Sequence, residues 1–344
     1  MVNATSRAIL IEARGPVSVL NATSVPRPTP KPTQVLVKVA FAGINFLDVA
    51  ERTGAFAFPT PVPFIPGREG AGEIVEVGSE VQHGFKVGDR VAFLSVATYA
   101  DYVAVDTIHL AKLPDSVSYE DGATLMIQGL TALSLATRAY SIKKDDIIVI
   151  HAAAGGVGLI LSQIASRRLG ATVIGTVSTP EKAALARANG THHVVVIPSS
   201  PEPGTKNAYE PLETLVASLT NGKGVHAVFD SVGRATFEAD LAIARRNSTI
   251  VLFGSASGPI PDLNINRLTP KNLKLTRVSL YNYMTTFEEF DELYKEGLEL
   301  LKGDNKVKLE ASKVYEFSEI QQAHLDLEGR KSTGKLLLRV AGSN

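Results

Sequence analysis

A short glycine-rich run that follows an apolar, strand-like segment constrains the fold of this chain more than any other feature. The apolar segment covers residues 147–151, and the run, A-A-G-G-V-G, covers residues 153–158 and opens a helical pattern. In such a strand–turn–helix unit one glycine lets the backbone approach a pyrophosphate, another lets helix and strand pack closely, and the helix N-terminus offers unpaired N–H donors. Ala153 stands where the first glycine of G-x-G-x-x-G is usual, so the run predicts a nucleotide-binding turn that needs support from other features.

From about residue 118, strand patterns and helix patterns alternate along the chain. The predicted helices cover residues 118–138, 157–169, 180–189, 209–219, 235–246 and 286–302, and the predicted strands cover residues 147–152, 172–177, 193–197, 225–230, 248–253 and 273–280. Such alternation is typical of a parallel sheet with helices on both faces. We therefore predict an α/β fold in which residues 121–304 form a doubly wound domain.

The N-terminal third has a different rhythm, with short strands separated by glycine and proline. Residues 35–40, 72–77 and 90–93 are examples, and one short helix over residues 46–52 interrupts them. This spacing is typical of a small antiparallel barrel. Short strands return after about residue 305, so we predict one β domain made of residues 1–120 and 305–344.

Charge and composition exclude several classes of protein. Lysine plus arginine and aspartate plus glutamate balance at 35 each, which argues against a nucleic-acid-binding surface. The absence of cysteine excludes disulfides, thiolate catalysis and cysteine-ligated zinc. Only four consecutive apolar residues precede Glu12, too few for a signal-peptide core, and no apolar run approaches the ~20 residues of a membrane span. We expect a cytoplasmic protein.

The sequence after the second predicted strand bears on the choice of dinucleotide. In NAD-binding proteins an acidic residue ~20 positions beyond the turn accepts a hydrogen bond from the ribose 2′-hydroxyl, but residues 175–179 contain no acid. Ser178 and Lys182 instead offer a hydroxyl and an ammonium that suit a 2′-phosphate. This pattern favours NADPH over NADH, although Lys182 could equally be a solvated lysine in the first turn of its helix.

Taken together, nine ordered motifs resemble the zinc-free quinone oxidoreductase and zeta-crystallin family of the medium-chain dehydrogenase/reductase superfamily. They span nearly the whole chain and occupy residues 42–45, 67–72, 86–91, 129–132, 151–158, 175–177, 230–233, 253–258 and 333–336. The resemblance implies a GroES-like β-barrel catalytic domain that carries a Rossmann NADPH-binding domain, in agreement with the pattern of elements. It also makes Ala153 a feature of the family.

The resemblance further implies that the chain binds no metal. Zinc-dependent members of the superfamily carry cysteine and histidine where this chain has Asn45 and Arg68. Without a Lewis acid the acceptor must already be electrophilic, and a quinone meets that requirement. The expected role of the protein is then to hold nicotinamide and quinone face to face.

By position, the family assigns roles to individual residues. Asn45 and Asp48 are the candidate catalytic residues beside the nicotinamide, although Asp48 could instead be an acid favoured by the helix dipole. Lys182 and Arg330 are expected at the 2′-phosphate. The other candidate cofactor ligands are Thr131, Ala154, Gly155, Gly156, Val157, Gly175, Ser178, Ser231, Phe253, Gly254 and Ser255.

Two departures from the family concern the substrate pocket. Ala50 and Phe56 replace two tyrosines, so we expect a roomier and more apolar pocket and no proton relay through those hydroxyls. Tyr283 is a further candidate for the pocket wall or for a subunit interface.

Three functions remain in consideration at this point. The leading one is reduction of a quinone by NADPH, through hydride or one-electron transfer. The second is NADPH-dependent reduction of the double bond of an enone or alkenal, and the third is a nonenzymatic NADPH-binding or AU-rich RNA-binding role like that of zeta-crystallin. The family usually forms homodimers through Rossmann-sheet edges, for which residues 273–278 are the candidate strand.

Overall fold

The computed structural model describes residues 5–55, 60–198, 207–260 and 262–340. The strands are β1 (Thr5–Leu10), β2 (Asn21–Pro26), β3 (Gln34–Ile44), β4 (Glu69–Val77), β5 (Arg90–Leu94), β6 (Tyr102–Asp106), β7 (Leu110–Lys112), β8 (Ile147–Ile150), β9 (Thr172–Val177), β10 (His193–Val196), β11 (Val225–Asp230), β12 (Ala244–Leu252), β13 (Lys274–Arg277), β14 (Ala311–Glu316) and β15 (Lys335–Arg339). The α-helices are α1 (Phe46–Thr53), α2 (Tyr119–Thr124), α3 (Leu130–Ser134), α4 (Gly156–Gln163), α5 (Pro180–Ala188), α6 (Glu210–Leu219), α7 (Phe237–Ile243), α8 (Phe287–Leu300) and α9 (Ile320–Glu328). Among the helices of these ranges, none combines the length and apolar character that a membrane crossing needs.

A mainly antiparallel β unit forms around the long strand β3. Seven strands join in the order β14-β15-β3-β4-β5-β7, with β6 also paired to β3, and β1 pairs separately with β2. Alternate residues of β3, among them Val35, Val37 and Val39, are buried in one apolar core with β4, β5 and α9. We call this part of the molecule the barrel unit.

A second unit contains six parallel strands in the order β10-β9-β8-β11-β12-β13. This is the doubly wound arrangement predicted from the alternation of strands and helices. The strand order reverses between β8 and β11, and open α/β sheets bind ligands outside the carboxyl ends of their strands at that point. We call it the Rossmann unit.

The division between the two units differs from the predicted one. The barrel unit comprises residues 1–130, 284–297 and 309–344, and the Rossmann unit comprises residues 131–283 and 298–308. Most of α8 belongs to the barrel unit because two of its side chains contact residues of that unit. The Tyr294 hydroxyl donates to the carbonyl oxygen of Lys112 at 3.2 Å, and the ring of His109 stacks edge-on against Phe290.

Two elements depart from the predicted pattern. The helix expected over residues 235–246 ends at Ile243, and residues 244–246 already belong to β12, where Ala244 is in register with Val225. Helix α9 falls where only short strands were expected. Its buried positions, Ile320, Ala323, His324 and Leu327, follow the helical spacing, but a histidine in that stripe weakened the apolar signal.

Candidate cofactor and active site

The glycine-rich turn begins at the carboxyl end of β8, next to the point where the strand order reverses. Ala152 adopts a left-handed backbone conformation with φ 53°, and the amide of Ala153 donates to the carbonyl oxygen of Thr176 on β9 at 3.0 Å. Helix α4 then starts at Gly156, and its N-cap residue, Gly155, has no side chain that could cap it. The first amides of α4 therefore have no partner within the helix, which is the arrangement that binds a pyrophosphate.

The glycines of the turn have distinct steric roles. A Cβ on Gly158 would lie 2.4 Å from the carbonyl oxygen of Ala152, so only glycine lets α4 pack this close to the strand. A Cβ on Gly155 would meet just that oxygen, at 3.2 Å. A Cβ added to Gly175 would lie only 2.6 Å from the Cβ of Ala153. Alanine is thus tolerated at the usual first glycine because Gly175, on the neighbouring strand, has no side chain.

The segment after β9 contains the residues expected at the 2′-phosphate. Thr179 caps α5 by accepting a hydrogen bond from the amide of Lys182 at 3.3 Å. Ser178 and Lys182 are both half-buried at the carboxyl end of the sheet. Arg330, in the barrel unit, is exposed directly after α9 and has φ 53°.

The loops after β11 and β12 pack against each other at the same end of the sheet. A Cβ on Gly254 would lie 2.4 Å from the carbonyl oxygen of Ser231, so these loops can meet only because Gly254 has no side chain. The guanidinium of Arg277 donates to the carbonyl oxygen of Gly254 and, at 3.1 Å, to the hydroxyl of Ser255. Arg277 entered the prediction from sequence only as part of the candidate edge strand over residues 273–278, with no role at the site. Phe253 is half-buried beside them.

In the barrel unit, Asn45 lies at the end of β3 and both ends of its amide are held by buried side chains. Its Nδ2 donates to Glu69 Oε1 at 2.8 Å, and its Oδ1 accepts from Lys335 Nζ at 2.9 Å. Lys335 and Glu69 are also paired directly, and both side chains are completely buried. Glu69 Oε2 accepts in addition from the amide of Ile127 at 2.6 Å. The orientation of the Asn45 amide is therefore fixed.

The long helix predicted over residues 118–138, which contains Ile127, is not a regular α-helix. It runs as α2, a π-helical stretch over Leu125–Gly129, α3 and a second π-helical stretch over Leu135–Ala139. The wide turns of a π-helix shift its hydrogen bonds and often occur at functional sites. Thr131 is half-buried on α3, beside the first of these stretches.

Asp48 lies in the first turn of α1 and is fully buried. Its Oδ2 accepts from the backbone amide of Asn45 at 2.7 Å and from the hydroxyl of Tyr99 at 2.9 Å. Burial raises the pKa of Asp48 to about 7, against the opposing effect of these two hydrogen bonds. Asp48 thus caps the first turn of α1 through the Asn45 amide, and it has no exposed surface for contact with a substrate.

Arg68 forms a two-pronged ion pair with Glu51 of α1, with Nε 3.0 Å from Oε2 and the terminal nitrogen on Oε1. Ala50 is half-buried on the same helix, and Phe56 lies outside the described residues. Tyr283 is half-buried in the Rossmann unit, and burial raises the pKa of its hydroxyl.

The residues at positions 45 and 68 do not fit a zinc ion. The Asn45 oxygen accepts from an ammonium, and Arg68 is a guanidinium with no lone pair to donate. Within the described ranges, no group of three or more histidine, aspartate and glutamate side chains is arranged to hold a metal ion.

Two family models match the chain. One, described as an alcohol dehydrogenase GroES-like domain, matches residues 31–115. The other, described as a zinc-binding dehydrogenase, matches residues 156–296. The two matches confirm the predicted pairing of a GroES-like domain with a Rossmann domain.

Curated relatives match over nearly the full length. A probable quinone oxidoreductase of Schizosaccharomyces pombe is 38% identical over 335 residues, covering 96% of both chains. A 2-haloacrylate reductase of a Burkholderia species is 33% identical over 325 residues, covering 90% of this chain and 92% of its own.

Solved structures agree with these matches. A mycobacterial protein complexed with NADPH superposes with a TM-score of 0.90 at 36% identity, covering 97% of this chain and 99% of its own. The quinone oxidoreductase of Escherichia coli complexed with NADPH superposes with a TM-score of 0.88 at 35% identity, covering 98% of this chain and all of its own.

Proposed function

The chain belongs to the quinone oxidoreductase family of the medium-chain dehydrogenase/reductase superfamily, and from this premise we propose that it is an NADPH-dependent quinone reductase. The observation that carries the proposal is the uncapped N-terminus of α4 at the turn over residues 153–158, beside the reversal of strand order. Two relatives of the same fold are described as complexes with NADPH.

The choice of NADPH over NADH rests on the segment after β9. Residues 175–179 contain no acid that would repel a 2′-phosphate, and Ser178 and Lys182 supply a hydroxyl and an ammonium. Arg330 is the candidate from the barrel unit. We propose that Ser178 and Lys182 recognise the phosphate, and Arg330 stays a candidate on the family resemblance alone.

NADPH, when bound, supplies the hydride or the electrons. The residues of the chain bind and orient the reactants, and Asn45 and Arg68 do not fit a zinc ion that would act as a Lewis acid. Lys335 and Glu69 fix the amide of Asn45, and Asp48 fixes the backbone of Asn45 from the other side. Such a site accelerates the reaction by positioning, which suits an acceptor that is already electrophilic, such as a quinone.

The second candidate is reduction of an activated carbon–carbon double bond. The observation that favours it is the relative described as a 2-haloacrylate reductase, since a haloacrylate is an alkene activated by a carboxylate. It requires the same hydride and the same metal-free site.

One assay separates the two candidates. NADPH oxidation is followed with an ortho-quinone, an alkyl enal, 2-chloroacrylate and a simple aldehyde, at equal concentrations. We expect turnover of the quinone and none of the aldehyde. Turnover of the enal or of 2-chloroacrylate without turnover of the quinone would establish the second candidate in place of the first.

Further expectations from the sequence stay proposals. We propose a homodimer formed through β13, which is the last strand of the Rossmann sheet and pairs on one side with β12. Sedimentation equilibrium tests it, and a monomer at micromolar concentration would contradict it. The cytoplasmic location also stays a prediction. A protein that binds NADPH but turns over no acceptor would favour the nonenzymatic role, which a binding assay with AU-rich RNA would then examine.

A further inference from the structure

His151 lies between β8 and the glycine-rich turn, and its imidazole is completely buried. Its Nε2 lies 2.8 Å from Oδ1 of Asp240 on α7, and its Nδ1 lies 2.9 Å from the hydroxyl of Thr176 on β9. Its backbone amide donates to the carbonyl oxygen of Phe229 on β11 at 3.0 Å. One residue thus joins three neighbouring strands and a helix directly beneath the turn.

A second buried acid extends this network to the next loop. Asp230 ends β11, is fully buried, and accepts hydrogen bonds from the amide of Val232 at 2.6 Å and from the hydroxyl of Thr236 at 2.8 Å. Oδ2 of Asp240 has no donor among the described residues, yet its carboxyl group lies within hydrogen-bonding reach of Asp230. A proton held between the two acids would satisfy both. We call His151, Asp230 and Asp240 the buried triad.

The charge of the buried triad depends on its protons. With one proton its net charge is −1, and with two it is zero, because it contains two carboxyl groups and one imidazole. Burial, with a contribution from Asp230, raises the pKa of Asp240 to about 7 in spite of the nearby His151. Burial opposes protonation of His151, but Asp240 and Asp230 raise its pKa overall. The directly paired His151 and Asp240 therefore share their protons, and the net charge of the triad depends on the protonation of this pair.

Few other polar groups face the triad. The ring of Tyr209, at the start of α6, lies edge-on to the imidazole with centroids 6.1 Å apart. The guanidinium of Arg277 on β13 interacts with Asp230 through its charge while it holds the loop of Gly254. Thr176 and Thr236 contribute neutral hydroxyls.

We propose that His151 is a positioning residue of the cofactor turn and that binding of the cofactor pyrophosphate is coupled to uptake of a proton by the buried triad. The reason is electrostatic, since an anion placed at the N-terminus of α4 disfavours a net negative charge buried beneath it. The proposal rests on the proposed function, because it assumes that this turn binds NADPH.

The experiment measures NADPH binding by calorimetry between pH 7 and 9, where a phosphate with its second pKa near 6 is mostly ionised. Two buffers with different ionisation enthalpies at each pH give the number of protons taken up. NADH, which has the pyrophosphate without the 2′-phosphate, is measured in parallel. We expect proton uptake with both, and a Kd that rises with pH by at most about tenfold per unit, the limit for one linked proton.

Variants identify the groups that take up the proton. In Asp240→Asn the amide can still hydrogen-bond to His151 but cannot bind a proton, and without the Asp240 charge burial keeps His151 neutral. We therefore expect proton uptake to disappear and the Kd to become independent of pH. The matched control is His226→Asn, since His226 forms a half-buried pair with Asp146 at the opposite end of the same sheet. This control should keep the pH dependence of the wild type.

The outcomes distinguish the inference from the proposed function. Binding of NADPH by the wild type without proton uptake would overturn the coupling and leave the reductase intact. Absence of binding would overturn both. Unchanged uptake in Asp240→Asn would also contradict the proposal. The proton count of the wild type tests the coupling even where a variant fails to fold.

Discussion

The ammonium of Lys335 and the carboxylate of Glu69 form an ion pair that is completely buried in the barrel unit, and both groups also hold the amide of Asn45. Lys335 is the first residue of β15 and Glu69 the first of β4, so the pair joins the starts of two strands that flank β3. The candidate catalytic residue Asn45 is therefore held by a charge pair that is sealed from water.

Lys335→Met should strongly destabilise the protein. The substitution leaves the Glu69 carboxylate buried without its cation, which typically costs about 3–5 kcal/mol of unfolding free energy. The double variant Lys335→Met, Glu69→Gln should lose less than the sum of the two single variants. Denaturant unfolding measures both.

The control is Lys313→Met. Lys313 forms an exposed pair with Asp326 at 3.3 Å on the neighbouring strand β14, and its loss should cost less than about 1 kcal/mol. Equal losses at positions 313 and 335 would contradict the importance of burial.

Asp48→Asn should flatten the dependence of stability on pH. The Asp48 carboxyl titrates near 3.8 when unfolded and, because of burial, near a pKa of about 7 when folded. Between these two pKa values the folded state holds a proton that the unfolded state has lost. The stability of the wild type therefore falls by about 4 kcal/mol in total as pH rises through this window, and this contribution is constant above it.

Asparagine can still accept the hydrogen bonds from the Asn45 amide and the Tyr99 hydroxyl, so the variant should remain folded and gain stability relative to the wild type above pH 7. Unfolding at a series of pH values from 4 to 8 tests this. The exposed Asp115→Asn should follow the wild type. A wild-type slope in Asp48→Asn would mean that other groups cause it.

Local sequence patterns predicted much of the Rossmann unit, but they could not predict which residues pair with the buried charged groups. Strands β9 and β11 were predicted with their observed bounds because apolar runs between glycines and polar turns mark both ends. Lys335 was visible only as part of a T-G-K-L motif, since its partner Glu69 is 266 positions away. His151 and Asp240 are 89 positions apart. A sequence shows the type of a residue, but such pairs arise only when the sheet brings distant strands together.

Two alanine substitutions should separate the glycine roles in the cofactor turn. Gly158→Ala places its Cβ 2.4 Å from the oxygen of Ala152 and should lower the unfolding free energy by about 1–3 kcal/mol. Gly155→Ala has a closest contact of 3.2 Å and should fold nearly as well. Its methyl group would instead occupy space that the pyrophosphate needs, so its Kd for NADPH should rise at least tenfold. Thermal unfolding and fluorescence titration with NADPH measure the two effects.

Ala50→Tyr should narrow the range of acceptors. The family tyrosine at this position restores a large ring and a hydroxyl on α1, where Ala50 is half-buried. We expect kcat/KM to fall several-fold for a fused-ring ortho-quinone and to change less for a single-ring benzoquinone. Leu47→Phe, three residues earlier on the same helix, controls for the effect of adding an aromatic ring to α1 at another position. An unchanged ratio between the two quinones would contradict a role for Ala50 in the pocket.

Lys182→Ala should weaken NADPH binding without affecting NADH. A hydrogen bond to a charged phosphate contributes about 1.5–3 kcal/mol, so the Kd for NADPH should rise about tenfold or more, while the Kd for NADH, which lacks the 2′-phosphate, should stay within about twofold. Lys223→Ala is the matched control, because Lys223 precedes β11 and lies at the opposite end of the sheet from the turn. Because Lys182 also lies in the first turn of α5, an equal loss for both cofactors would indicate that the substitution disturbs the helix and that the phosphate is recognised elsewhere.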